Sequence, residues 1–162
     1  MSISYKRIGT IRSPFKSVEG VPIQPVGAEG VRGEVVVDPP YQAGLEGLEG
    51  FSHVVLVYHF HASEGYELRV RPFLDSTPRG VFATRSPRRP NPIGISVVKL
   101  VDVRENVVYV ENLDVLDGTP LLDLKPHVPQ AAAPGPVKLG WLERRVNGMK
   151  SARADLRFKD WS

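Results

Sequence analysis

Residues 93–113 read IGISVVKLVDVRENVVYVENL. Two runs rich in valine and isoleucine, 93–103 and 107–113, flank a short polar turn, Arg104-Glu105-Asn106. β-Branched side chains suit a pleated surface, and two such runs joined by a short turn predict an antiparallel hairpin. In a hairpin the two ends far from the turn lie side by side. One end is preceded by VFATRSPRRPNP (81–92), and the other continues into DVLDGTP (114–120). The hairpin therefore predicts a cationic rim and an acidic turn facing each other across one mouth. A zwitterionic ligand, or a cationic ligand that carries a carboxylate, suits such a place.

The proline-rich segment sharpens this expectation. Pro87, Pro90 and Pro92 each fix their own φ and remove a backbone donor. Each also drives its predecessor, Ser86, Arg89 or Asn91, away from helical geometry. The pattern predicts a stiff, extended loop bearing Arg85, Arg88, Arg89 and Asn91 as fixed polar groups. A loop ordered before binding loses less entropy when a ligand arrives.

Further short strands are predicted over 6–11, 31–37, 53–60, 67–71 and 80–84, with a long Pro/Gly-rich loop over 13–30 and a linker at 131–136. In 141–158, Leu142, Val146, Met149 and Leu156 recur near helical spacing, with Arg144, Arg145, Lys150, Arg153 and Arg157 elsewhere. That predicts a basic amphipathic helix, weakened by Asn147-Gly148. The fold class is mainly β: a small β-barrel-like domain with Pro/Gly-rich loops and a short basic C-terminal helix. The 162 residues are expected to form one domain, with a core over about 6–130 and a basic tail over 137–162.

The net charge of +3 and the pI near 9.3 permit an anionic partner without requiring one. There is no cysteine, which removes disulfides and thiolate metal ligands. The polar N-terminus and the lack of a bilayer-length apolar run point to a cytoplasmic protein with no membrane partner. His59 and His61 share one face of a predicted strand, but no third ligand accompanies them, so no metal is expected. No P-loop, no Gly-x-Ser-x-Gly and no Ser-His-Asp order occurs. Asp38-Pro39-Pro40-Tyr41 has the form of the amino-group clamp of Rossmann-type adenine methyltransferases, yet no Gly-rich strand–loop–helix accompanies it. The two prolines are read as ending a strand. Asp117-Gly118 signals a turn, with Asp123, Lys125 and His127 close behind.

The stretch FATRSPRRPNPIGIS (82–96) resembles the signature of the YaeB/TsaA-like family of tRNA methyltransferases. Other landmarks of that family recur in order: IGTIRSPF (8–15), VPIQP (21–25), GLEGFSH (47–53), Phe60-His61, and the block from Asp114 to Pro129. Ile23 stands where many members have arginine, and His127 where a tyrosine is usual. The resemblance implies a small barrel-like fold, a homodimer, and S-adenosyl-L-methionine (SAM) bound near the subunit interface. It implies methyl transfer to N6 of threonylcarbamoyladenosine at position 37 of tRNA. The implied SAM site comprises Pro22, Ile23, Gln24, His61, Ala62, Arg85, Ile95, Asp114, Val115, Leu116 and Asp117. Arg88, Arg89, Asn91, Lys125, Arg144 and Arg145 are the residues expected to meet the tRNA, and Asp117 the one expected to accept a proton. A non-catalytic SAM- or RNA-binding module on the same scaffold, or a methyltransferase with a different acceptor, is the alternative, because fold alone does not settle function.

Overall fold

Among the described residues, 1–155 of a computed structural model, there are eight strands. They are β1 (Gly9–Arg12), β2 (Arg32–Val37), β3 (His53–His59), β4 (Arg69–Val70), β5 (Arg79–Gly80), β6 (Ile93–Arg104), β7 (Val107–Glu111) and β8 (Thr119–Pro126). The expected hairpin is β6–β7, with Lys99 opposite Glu111 and Arg104 opposite Val107. Its turn shortens to Glu105-Asn106, with Glu105 at φ 53°.

Side-chain alternation decides which face goes inward. Along β3, Val54, Leu56 and Tyr58 are buried while their neighbours are half-exposed. Along β6, Gly94, Ser96, Val98 and Leu100 point inward. Six strands use these inward faces to close an antiparallel barrel in the order β1-β2-β7-β6-β3-β8. Ile11, Val35, Val54, Leu56, Val98, Val108, Val110 and Leu121 fill its interior. Leu45 and Leu48, on the 3-10 turns that follow β2, join the same cluster. β4 and β5 form a separate two-stranded ribbon.

β8 closes the barrel by pairing with both β1 and β3. Its register against β3 slips between Val57 and Tyr58, from Asp123 to Leu121. A bulge of this kind bends the strand and re-aims the side chains beside it. The end of β3, the start of β6 and the start of β8 thus meet at one mouth, with Tyr58 opposite both Gly94 and Leu121. Gly94 is required there: a Cβ would fall on the Tyr58 ring and within 2.8 Å of Phe60 Cζ. The Tyr58 and Phe60 rings pack edge to face across it, with centroids 5.5 Å apart.

Several sequence expectations shift. β8 is a strand where only a turn and its neighbours were anticipated. The predicted strand over 80–84 keeps only its first residue in β5, and Val81–Ala83 is a 3-10 turn. The tail, as far as residue 155, forms two 3-10 turns, Gly140–Leu142 and Val146–Lys150, in place of one amphipathic helix. The Asn147-Gly148 pair, both poor helix formers, lies within the second of these turns. Leu156, Arg157 and Phe158 of that expected helix lie outside the described residues. Asp38 does precede a strand-ending turn: β2 stops at Val37, and the 3-10 turn Pro39–Leu45 follows.

Gly94→Ala is expected to destabilise the barrel by about 1–3 kcal/mol through overpacking, because Tyr58 is held at its hydroxyl and its ring has little room to move. Urea unfolding at neutral pH checks this. Unchanged stability would mean that the ring yields.

Candidate functional site

The mouth opens into a cavity of about 640 Å³. Its floor is the barrel end: Tyr58 from β3 and Phe60 just beyond it, Ile93 to Ile95 from β6, and Thr119 from β8. The proline-rich loop forms one wall, and Asp114 to Leu116 another. Residues 21–24 with Phe73 and Leu74 form a third side, and Trp141, Leu142 and Met149 of the tail complete it. The lining is chiefly apolar with a few convergent polar groups, and the volume falls within the roughly 300–1,000 Å³ usual for small-molecule sites.

A chain of buried polar groups lies under the floor. Tyr58 Oη and Ser96 Oγ are 2.9 Å apart, and Ser96 Oγ donates to Asp114 Oδ1 at 2.6 Å. Because that hydroxyl proton goes to the carboxylate, the tyrosine is the donor in its own bond to Ser96. Burial pushes the Asp114 carboxyl up to about 6, against the opposing effects of the Ser96 bond and the Arg85 charge. Burial first, and the Asp114 charge second, push the Tyr58 phenol far up, so it stays protonated.

The proline-rich loop is ordered by its own side chains. Thr84 Oγ1 donates to the Val81 carbonyl at 2.8 Å, and Ser86 N donates to Thr84 Oγ1. Arg89 Nη1 reaches the carbonyls of Thr84 and Ser86 at 3.1 and 3.3 Å. Arg85 Nη2 donates to the Ile95 carbonyl at 2.9 Å, which ties the loop to the start of β6. Arg88 faces Glu67 at 3.6 Å, and its Nε is buried without a partner among the described residues. Of these three arginines, Arg85 and Arg89 line the cavity.

The acidic turn divides its labour. Asp114 faces the cavity, whereas Asp117 accepts from Ser13 N at 2.9 Å and pairs with Lys16 at 2.8 Å. The Lys16 ammonium, then the Ser13 N–H, hold its carboxyl below the ordinary range. Asp117 N and Gly118 N also donate to the carbonyls of Phe15 and Ile11. Asp117 therefore fastens the turn to β1 and the loop behind it. Thr119 Oγ1 donates to the Leu116 carbonyl at 2.6 Å and lies 3.3 Å from His61 Nδ1.

The tail is held by a buried acid. Asp75 accepts from Arg79 Nη2 at 2.6 Å and Nε at 3.0 Å, and Arg145 approaches it at 3.4 Å. The Arg79 bonds, followed by the Thr77 N–H, hold its carboxyl down at about 2. The Arg79 guanidinium lies over the Trp141 ring at 5.5 Å, and Trp141 Nε1 donates to the Ala83 carbonyl at 2.7 Å. Further along, Ala154 exchanges backbone bonds with Gly20 and Val21.

The structure gathers Pro22, Ile23, Gln24, His61, Ala62, Arg85, Ile95, Asp114, Val115 and Leu116 around one cavity, together with Arg89 and Asn91. It leaves Asp117, Arg88, Lys125, Arg144 and Arg145 off the lining. Lys125 pairs with Asp123 on β8, and Arg145 serves the tail contact. The sequence reading missed Tyr58, Phe60, Thr119 and the tail's Trp141 and Met149. Inward alternation with Val54 and Leu56 was a usable signal for Tyr58. Nothing local marks Trp141, whose hydrogen-bond partner is 58 residues away.

Residues 10–133 match the model of the family described as the tRNA-methyltransferase O N-terminal domain. A probable S-adenosyl-L-methionine-binding protein of Pyrococcus abyssi is 48% identical over 98% of this chain and 86% of its own length. The Escherichia coli tRNA (adenine(37)-N6)-methyltransferase is 42% identical over 80% of this chain and 60% of its own. The crystal structure of TrmO from Pseudomonas aeruginosa superimposes with a TM-score of 0.73 at 40% identity, covering 87% of this chain and 63% of that one. The chain thus spans less than two thirds of the length of these last two.

The buried acid under the floor generates a pH prediction. Between about pH 4 and pH 6 the folded state holds the Asp114 proton while the unfolded chain has released it, so stability falls as pH rises through that window. The loss is roughly 3 kcal/mol. Asp114→Asn should remove this component, gaining about that much on the wild type between pH 4 and pH 7 in urea unfolding. Parallel pH profiles for the two proteins would show that Asp114 is not the group responsible.

Proposed function

This chain belongs to the tRNA-methyltransferase O N-terminal domain family, and on that premise we propose that it is a SAM-dependent tRNA methyltransferase acting on N6 of threonylcarbamoyladenosine at position 37, in the cytoplasm. The observation that carries the reading is the cavity itself. Every implied SAM contact except Asp117 lines it, although they come from five separate stretches of the chain. The charge pattern also fits: a buried carboxylate, Asp114, and a guanidinium, Arg85, converge on an apolar chamber, which matches a ligand that is both cation and amino acid. Similarity to proteins named for SAM binding and for adenine-37 methylation supports the same assignment.

Bound SAM supplies a methyl group already activated on a sulfonium sulfur. The chain's task is then mainly positioning. Pro22, Ile23 and Gln24, His61 and Ala62, Arg85, Ile95, and Asp114 to Leu116 would hold and orient it. Asp117 acts one layer back, by fixing the turn. The apolar walls exclude water. Arg89 and Asn91 at the rim, with the exposed Arg144, offer polar contacts to the RNA and to the carboxylate of the modified base. A site that relies on such contacts leaves its own groups unpaired when the plain base arrives.

The outer face of β6 supports a homodimer. Ile93, Ile95, Val97 and Val101 are each between 36% and 50% exposed along one strand, and apolar faces of this kind mark interaction sites. Ile93 and Ile95 also line the cavity, so a second copy seated on this face would border it.

Calorimetry should show SAM binding by the full chain, weakened about tenfold, or ~1.4 kcal/mol, in Arg85→Ala. Nucleoside mass spectrometry should find the new methyl only on tRNA that already carries threonylcarbamoyladenosine. Equal methylation of unmodified transcript would overturn the acceptor assignment, and SAM binding without transfer to any tRNA would leave a binding module. In sedimentation, Val97→Glu combined with Val101→Glu should convert a dimer into a monomer. A monomeric wild type would remove the dimer.

A further inference from the structure

One histidine at the mouth has its tautomer fixed by the barrel. His61 lies two residues beyond the end of β3 and lines the cavity. Its Nδ1 is 3.3 Å from the hydroxyl oxygen of Thr119, the first residue of β8. Thr119 is 2% exposed, and its hydroxyl donates to the Leu116 carbonyl at 2.6 Å. A hydroxyl has one proton, and this one is committed. In the bond to His61 the threonine oxygen must therefore accept, and the imidazole must carry its proton on Nδ1. The neutral ring then has its lone pair on Nε2. Nε2 has no hydrogen-bond partner among the described residues.

We propose that His61 is the proton acceptor for methyl transfer at this site, and that Thr119 is the positioning residue that presents its Nε2 lone pair. The inference rests on the methyltransferase reading above. The acceptor nitrogen gains a methyl and must lose its hydrogen. In balance, the nitrogen lone pair forms the new bond to the methyl carbon, the carbon–sulfur bonding pair stays on sulfur as a neutral thioether, and the N–H proton passes to His61 Nε2. Water then takes it from the imidazolium.

Competing bases are already engaged. Asp117 holds Ser13 N and Lys16, and Asp114 accepts the Ser96 hydroxyl. The ionisable groups that act on His61 are His59 from β3 and Asp117 from the turn before β8. Arg85, Arg89, Asp114 and Asp155 line the same cavity. Burial and then His59 push the imidazole below the ordinary histidine range, while Asp117 raises it. The net direction keeps the ring neutral, and so basic, at neutral pH.

The first test needs no reaction. Long-range proton–nitrogen NMR of the histidine rings in the full chain should show His61 with its proton on Nδ1. In Thr119→Val the ring should revert to the Nε2–H form that free imidazole side chains favour, and Thr119→Ser should restore Nδ1–H. An Nε2–H tautomer in the wild type overturns the proposal. The second test is single-turnover methylation of modified tRNA at saturating SAM, across pH. The wild-type rate should fall on the acid side in step with His61 protonation followed by NMR. His61→Gln should lose about 10²–10⁴-fold in rate together with that acid limb, and His61→Asn should repeat the result should the glutamine variant not fold. Thr119→Ser should recover the rate that Thr119→Val loses. A His61→Gln rate within threefold of wild type, or an unchanged acid limb, overturns this proposal alone. A wild type that methylates no tRNA overturns the function reading and this proposal together.

Discussion

Closure of the sheet by β8 is the constraint on which the rest depends. This strand pairs on one side with β1 and on the other with β3. A closed barrel leaves no unpaired strand edge, and its tilt and register must agree all the way round. That agreement fixes where β8 starts. The start of β8 in turn fixes Thr119 and the turn before it, and so brings Asp114 over Ser96 and Tyr58. The one-residue slip between β3 and β8 falls beside Tyr58, where the strands must accommodate both the closed ladder and the two edge-to-face rings. Geometry at the mouth is thus a property of the whole barrel rather than of any one loop.

Under that mouth the barrel spends polar groups where an apolar side chain would pack more cheaply. The chain from Tyr58 through Ser96 to Asp114 is buried, with hydrogen bonds of 2.9 and 2.6 Å. Such networks are stiff when fully satisfied and expensive when broken. Here every link is made, and the carboxylate end abuts the cavity. The cost of burying an acid appears in its raised pKa. What the molecule gains is a charge whose position is fixed before any ligand arrives.

The legible parts of the fold were those in which local chemistry and tertiary role coincide. The hairpin was visible because β6 and β7 are rich in β-branched residues and meet at a polar turn. The proline-rich loop was visible as a rigid structure, but the use of its arginines was not. Prolines remove backbone donors and leave carbonyls in need of partners. The Arg85 and Arg89 guanidinium groups supply those donors at Ile95, Thr84 and Ser86. The cations anticipated as a rim that meets a ligand are therefore partly the loop's own framework. β8 was hidden because Pro120 and Pro126 and its charged residues look like a turn when read without the strands that flank it. The tail was misjudged as a helix because Leu142 and Met149 do share a face, but that face is the cavity rather than a helical stripe. Most of the candidate site came from the family signature, and Tyr58 and Thr119 needed the barrel to bring them there.

The cavity joins two parts of the chain that are held in different ways. Its floor and signature loops lie within residues 10–133, the stretch that the family model matches, whereas Trp141, Leu142 and Met149 lie in the tail that follows it. That outer wall is docked through Asp75, Arg79 and Arg145 and through backbone bonds to residues 20 and 21, not through the barrel ladder. The floor of the cavity and this outer wall are consequently held by separate sets of contacts. Substitutions in that outer wall can therefore lengthen or shorten a ligand's stay without disturbing the ladder that shapes the floor.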